Sequence, residues 1–395
     1  MWSFVLLVLL GSQLCLFLGG LSRSLHGSTD FRAFYSAGRL VLDGHGSTLY
    51  KYSAQEQVQR SVISPDDQTL PFLYPPFAAL LFVPFAWLPY KLAFASFTLV
   101  SAIALMLVSA YLTKAKPASI PLPKWLVPLC AICLVPVLMA LLQGQISLLL
   151  LLVYTASHIA FSRERKTGAG LLLSVALIKW QLALPVLFLL AAWRKWKVIG
   201  VVAAGATGLY CVSLAVAGMA GVRDYAQSML QVAARTASDP YGAKALYGMF
   251  GGDMPNLHGM FFVLTGGRPF GLVLTAISSL AVLFWAARRP PSMSLALTAA
   301  MLVSYHLQAY DLTLLILPIG ISTFDLMSAR GREFGQRTKR KSYLLYGSIS
   351  ILVPPIAPVV VSLHASWLLI ASVITMLSYL SATGSVSSAH SEHYL

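Results

Sequence analysis

Residues 167–193, TGAGLLLSVALIKWQLALPVLFLLAAW, place about a dozen apolar residues on each side of Lys179-Trp180-Gln181. A bilayer core about 30 Å thick takes roughly 20 apolar helical residues to cross, so neither half is long enough to cross alone. Both flanks, SRERK (162–166) and RKWK (194–197), are basic, and basic loops gather on the cytoplasmic side. With both ends on one face, the stretch reads as a re-entrant hairpin with Lys179 at its tip. Irregular backbone at membrane depth is tolerated only where protein or a water-filled cavity covers it. A hairpin of this kind therefore implies a cavity.

The rest of the chain fits a membrane setting. Of 395 residues, 57% are hydrophobic and 10% charged, against about 25% charged in a soluble domain. Backbone that faces lipid must satisfy itself, so the expectation is an all-α polytopic membrane protein. Spans are expected at 2–21, 92–113, 125–142, 144–161, 197–217, 270–287, 292–310, 312–328, 343–362 and 365–381. The first lacks the basic start and small-residue cleavage site of a signal peptide and is read as an uncleaved span. Residues 72–89, FLYPPFAALLFVPFAWLP, are broken by four prolines and read as a second re-entrant or half-spanning element, on the outer side. The total is about 10–12 transmembrane or re-entrant helical elements. They are read as one transmembrane domain over 1–382, followed by a disordered Ser-rich tail, 383–395.

A net charge of +15 raises the question of nucleic acid. The basic residues sit in short loops at 114–124, 162–166, 194–197, 288–291 and 329–341, and that pattern orients a membrane protein rather than binding nucleic acid. Two long polar segments, 22–71 and 218–258, are left for the outer face and read as interfacial helices. Cys15, Cys130, Cys133 and Cys211 all lie in apolar runs, where thiols behave as small hydrophobes.

Ionisable groups beside hydrocarbon are functional candidates by default. Those placed where apolar runs meet the outer face are Asp30 and Arg32, Tyr74, Gln143 and Gln145, Lys179 and Gln181, Asn256 and His258, then His306, Gln308, Tyr310 and Asp311. Each has a plainer role as well. Asp30 precedes the helix starting at Phe31 and is a suitable N-cap. Lys179 can snorkel to lipid phosphate, and His306 can be a hydrogen-bonded structural histidine. Together, acids, cations and amides suit a phosphate-bearing lipid, with cationic and amide donors on the phosphate and a carboxylate as base. No zinc-ligand spacing occurs, and neither do G-x-G-x-x-G or Walker patterns. Energy would have to come from an activated substrate.

In order, the blocks DFRAFYSAGRLVLDGHGSTLY, FLYPPFAALLFVPFAWLP, LLQGQISLLLLLVY, GLLLSVALIKWQLALPVLFLL, MPNLHG and SYHLQAYDLTLLILP resemble glycosyltransferase family 87 over residues 30 to about 320. The KWQ triplet departs from the family's commoner lysine-proline form. The resemblance implies a fold of the GT-C superfamily and a polyprenyl-phosphate sugar donor, with mannose as the sugar. The acceptor is a lipid or glycan hydroxyl, and transfer inverts the anomeric carbon. It further implies a multi-pass plasma (inner) membrane enzyme of cell-envelope glycolipid synthesis, with its site facing the extracytoplasmic side.

In that reading Asp30 matches the essential acid of the first outer loop and serves as general base. His306 and Lys179 lie near the donor phosphate. Gln145, Asn256, His258 and Asp311 are second choices for sugar or acceptor, and Arg32 and Tyr310 join the donor-binding set. Phe31 and Arg32 follow Asp30, so the DxD metal motif of related enzymes is missing; no obligatory metal and no cofactor are expected. The rival reading is a transporter or flippase of a polyisoprenoid-linked lipid, because broken helices and midplane polar groups also serve transport.

Overall fold

The computed structural model of the chain describes residues 2–64, 69–118, 120, 122–234 and 254–332. The expected spans at 343–362 and 365–381 and the tail at 383–395 lie outside the described residues. All regular structure among the described residues is helical. In chain order the helices are α1 (Trp2–Leu25), α2 (Phe31–Leu42), α3 (Tyr52–Val58), α4 (Val83–Ala86), α5 (Tyr90–Ala115), α6 (Leu126–Ile132), α7 (Val135–Gln143) and α8 (Ser147–Ser162). They continue with α9 (Lys166–Val175), α10 (Trp180–Ala192), α11 (Trp196–Ala234), α12 (Leu257–Leu264), α13 (Phe270–Ala287), α14 (Met293–Val303) and α15 (Ile316–Arg332). Tighter 3-10 turns cover Pro76–Phe82, Ala176–Lys179 and Ala309–Leu315.

Tyr90–Ala115, Lys166–Ala192, Trp196–Leu230 and Phe270–Ala287 are long and apolar enough to cross a membrane, and the pair α6 and α7 makes a fifth candidate. That pair is bent by 62°. The expected straight span at 125–142 is therefore broken. Pro136 is the cause, since it has no N–H to offer the Ile132 carbonyl and its ring would clash with that carbonyl in a continuous helix. The expected span at 292–310 is likewise corrected. Helix α14 stops at Val303, and all eleven of its residues are buried, so it is an inner packing helix rather than a lipid-facing one.

Helices α9 and α10 could make a single crossing by length alone, but their neighbours define a hairpin. At the tip, Lys179 Nζ lies 3.4 Å from Ser147 Oγ, at the start of α8. Beyond the far end of α10, Lys195 Nζ sits 5.4 Å from the ring centre of Phe161, near the end of α8. A Cβ on Gly170 in α9 would lie 2.6 Å from Val201 Cβ in α11. A straight helix of 27 residues would separate its ends by about 40 Å, which these contacts forbid. The chain turns at Lys179 (φ −117°, ψ 71°), and the hairpin expected from the sequence is the observed form. Its two basic flanks share a face.

The chain divides into two compact units, one of Met1–Ile103, Met139–Ile146 and Ala203–Phe250, the other of Ala104–Leu138, Ser147–Val202 and Gly251–Leu395. The centre of the first is α2. Phe31, Arg32, Ala33, Phe34, Tyr35, Ser36, Ala37, Gly38 and Leu40 are all buried, which corrects the reading of this segment as an interfacial helix. Phe31 meets Phe94 and Phe97 at 5.6 and 5.1 Å between ring centres, and Phe34 stacks on Phe82 at 4.6 Å. Such close approach needs Gly38, because a Cβ there would lie 2.7 Å from the Phe82 carbonyl carbon.

Helix α3 and the turn after it bury one polar face. Gln55 and Gln59, four residues apart and so on one face, are both buried. They serve the extended segment that follows. Gln59 donates to and accepts from the Leu70 backbone (2.7 and 2.9 Å), and Gln55 accepts from Phe72 N–H at 2.8 Å. Backbone without a helix or sheet partner must find other donors and acceptors when buried, and the two amides provide them. In the segment expected at 218–258, α11 runs on to Ala234 with a break at Gly218 (φ 66°, ψ 177°); residues 235–253 lie outside the described residues.

In the second unit, α10 packs against α14 and α13, and α8 against α9 and the turn at Ala309–Leu315. Phe188 and Phe284 meet edge to face at 6.0 Å. Lipid tails are as apolar as these side chains, so close packing and polar ties, rather than transfer out of water, hold such helices together. The polar ties are those of the candidate site.

Candidate functional site

The first unit holds the Asp30 constellation. Asp30 is the residue before α2 but does not cap it, since its own backbone is already helical (φ −61°, ψ −24°) and its side chain makes no capping bond. That corrects the capping expectation. Its carboxylate instead receives a hydrogen bond from Gln145 Nε2 at 2.6 Å, and its backbone N–H donates to Gln143 Oε1 at 3.2 Å. Tyr74 O–H donates to Gln145 Oε1 at 3.3 Å, which sets the orientation of the amide. The Tyr74 carbonyl in turn accepts from Tyr50 O–H at 2.5 Å. Burial pushes the Tyr50 phenol up from its usual range, so it remains a donor.

Backbone geometry brings Gln143 and Gln145 to this point. Gly144 between them has φ +62°, and a Cβ there would lie 2.6 Å from Phe31 Cβ. Only glycine enters that region at no steric cost. Ser24 Oγ donates to the Leu142 carbonyl at 2.8 Å, tying the end of α1 to the same loop. Asp30 is half-buried, Gln145 is buried, and Arg32 is buried in α2.

The second unit holds a separate group. Lys179 and Asp311 form an ion pair with their side chains 3% and 2% exposed. Ser147 Oγ donates to the same carboxylate oxygen, Asp311 Oδ1, at 2.5 Å. The other oxygen accepts from Gln308 N–H at 3.2 Å in a capping box that starts the turn at Ala309–Leu315. Lys179 Nζ also lies 5.1 Å from the ring centre of Tyr310, a favourable cation–π placement. A buried charge is tolerable when paired and hydrogen-bonded, and this lysine has a resident carboxylate.

Asn256 and His258 fasten the break that follows α14. Asn256 caps α12 by accepting from Gly259 N–H at 3.0 Å, and its Nδ2 donates to the Ser304 carbonyl at 2.5 Å. His258 Nδ1 is 2.6 Å from the Tyr305 carbonyl, so that nitrogen carries the proton, and the two rings lie 4.8 Å apart. Ser304 O–H donates to the His306 carbonyl at 2.8 Å, and the His306 side chain is half-buried. Among the described residues no three His, Cys, Asp or Glu side chains gather as a metal site.

Thus Asp30 and Gln145 are brought together in one unit, and Lys179, Asp311 and Tyr310 in the other, while Asn256 and His258 serve the backbone beside His306. Sequence reading missed Ser147, Tyr50, Gln55, Gln59 and Tyr305. Only the glutamines carry a signal, a four-residue spacing that places them on one helix face.

Helical structure throughout the described residues, with several membrane-crossing candidates, defines a polytopic membrane protein. The model of glycosyltransferase family 87 matches residues 72–318. The chain belongs to glycosyltransferase family 87, and is a membrane glycosyltransferase. No curated protein and no solved structure matches it. The match begins after Asp30 and Arg32 and does not cover them.

Proposed function

We propose that the protein transfers a hexose, specifically mannose, from a polyprenyl-phosphate donor to a hydroxyl of a lipid or glycan acceptor on the extracytoplasmic side of the plasma (inner) membrane, with inversion. The acceptor oxygen attacks C1 of the sugar, its proton passes to the Asp30 carboxylate, and the bond from C1 to the phosphate oxygen breaks as polyprenyl phosphate leaves. The leaving phosphate needs no general acid. The observation that carries this reading is the Gln145 amide on the Asp30 carboxylate at 2.6 Å. A charge-assisted hydrogen bond of this kind orients the carboxylate and favours its ionised, proton-accepting form.

His306 is assigned to the donor phosphate on the resemblance of the SYHLQAYD block. Lys179 and Asp311, already paired with each other, are assigned to positioning that block. Asn256 and His258, which hold the Ser304 and Tyr305 carbonyls, remain donor-side candidates together with Arg32 and Tyr310. Family membership favours this chemistry over lipid transport.

The test supplies the purified full chain with radiolabelled polyprenyl-phosphate mannose and a hydroxyl-bearing acceptor lipid, and in a second arm with a nucleotide-activated mannose. Transfer from the polyprenyl donor alone is expected. In Asp30→Asn it should fall by about 10²–10⁴-fold with unchanged thermal unfolding. Efficient transfer from the nucleotide sugar would overturn the donor assignment, and full turnover in Asp30→Asn the base.

A further inference from the structure

Because the chain turns back at Lys179, the turns at the far ends of α9 and α10 lie close together. Both turns close a helix in the same way. Arg165 N–H donates to the Ala160 carbonyl (2.8 Å) and Glu164 N–H to that of Phe161 (3.1 Å). Lys195 N–H donates to the Leu190 carbonyl (2.8 Å) and Arg194 N–H to that of Ala191 (2.8 Å). This double bond pattern is the Schellman closure, whose left-handed position glycine normally fills. Here Glu164 (φ 54°) and Arg194 (φ 58°) occupy it, so charged side chains stand where the backbone would favour none.

Between the turns lies a cavity of about 430 Å³ lined by Glu164, Arg165, Lys166, Thr167, Gly168 and Lys197. The Lys195 ammonium over the Phe161 ring, 5.4 Å from its centre, links the two turns. Segments 162–168 and 193–197 carry six cations, Arg163, Arg165, Lys166, Arg194, Lys195 and Lys197, against the single carboxylate of Glu164. That carboxylate is 3.6 Å from Lys166, so most of the positive charge there is unbalanced. The stems beneath present apolar side chains outward, with Leu171 53% and Leu184 50% exposed, and Trp196 beside the cavity is 61% exposed. Tryptophan at such a level marks the membrane interface.

We propose that this cavity binds the phosphate headgroup of an anionic phospholipid. Arg165, Lys166 and Lys197 supply the cationic donors, since guanidinium and ammonium groups are the usual partners of phosphate oxygens, and Thr167 adds a hydroxyl. The occupant is a lipid rather than a soluble anion because the cavity opens at the end of apolar stems and beside an exposed indole. Basic pockets between membrane helices hold anionic headgroups on the same principle. The site is independent of glycosyl transfer.

Thermal unfolding of the full chain in neutral detergent tests this with three additions: phosphatidylglycerol, phosphatidylcholine and inorganic phosphate. A saturable rise in Tm is expected with phosphatidylglycerol only. In Arg165→Gln/Lys197→Gln the apparent Kd should weaken by at least about tenfold. Glu164→Gln, which removes the lone carboxylate, should bind phosphatidylglycerol more tightly than the parent. It serves as the second readout if the double variant folds poorly. The proposal is overturned if the double variant binds as the parent does, if phosphatidylcholine matches phosphatidylglycerol, if inorganic phosphate alone produces the same rise, or if Glu164→Gln leaves the affinity unchanged.

Discussion

Lys179 at the tip of the hairpin and Asp311 in the turn after the SYHLQ break form an ion pair shielded from solvent on both sides, with Ser147 bound to the same carboxylate oxygen. The pair joins α8, the tip and the Ala309–Leu315 turn at one point, and its loss should loosen all three. Removing one partner of a buried pair leaves an uncompensated charge, which costs about 3–5 kcal/mol. Lys179→Met and Asp311→Leu should each lower stability by about that much in detergent unfolding curves, and the double variant should recover most of the loss. Single-variant losses below about 0.5 kcal/mol would show that the charges contribute nothing to the fold.

Gln145→Glu places a second carboxylate against Asp30, where the amide now donates at 2.6 Å. A like charge disfavours ionisation and raises the pKa of its neighbour. If Asp30 is the base, the acid side of the transfer-rate profile should move to higher pH, because more alkaline conditions are then needed to ionise it. Gln145→Ala removes a hydrogen bond that favours the ionised form and should lower the rate with a smaller shift in the same direction. An unchanged profile in Gln145→Glu would remove Asp30 from the rate-determining proton transfer.

Gly144→Ala meets two obstacles, the left-handed backbone and the Phe31 side chain 2.6 Å from the new Cβ. The conformational penalty alone is about 1–2 kcal/mol. Displacement of Phe31 should also shift Gln143 and Gln145 from Asp30. We expect a drop in Tm together with reduced turnover, measured on the same preparation; wild-type values for both would contradict the role given to this loop.

Topology offers a direct check on the hairpin. Cysteines placed at Arg165 and Trp196, on a background without the four native cysteines, should be labelled by an impermeant maleimide from the same side of sealed vesicles. Access to one from outside and to the other only after permeabilisation would mean that Lys166–Ala192 crosses once.

Asn256→Asp keeps the acceptor that caps α12 but loses the donor to the Ser304 carbonyl. Asn256→Ala loses both. Loss of a cap costs about 1 kcal/mol, so the alanine variant should unfold at a lower temperature than the aspartate variant. Equal unfolding temperatures with unequal donor binding would point instead to direct contact with substrate.

Much of the architecture was legible in order of residues alone. Low charge and long apolar runs require helices in lipid, and two half-length runs around a lysine between basic flanks require the chain to turn back. These are consequences of bilayer thickness and charge placement, which act on local sequence. What composition could not disclose is which polar groups are partners. Tyr74 and Gln145 are 71 residues apart, Gln145 and Asp30 are 115 apart, and Lys179 and Asp311 are 132 apart. Hydrogen bonds depend on ångström-scale distance, which no spacing along the chain encodes across so many turns. For the same reason the burial of α2, the amide on the Asp30 carboxylate and the carboxylate beside Lys179 are visible only in the fold. The sequence by itself determined that this is a helical membrane protein with a re-entrant lysine; packing alone decided that the lysine is answered by Asp311 and that the Asp30 carboxylate is held by an amide.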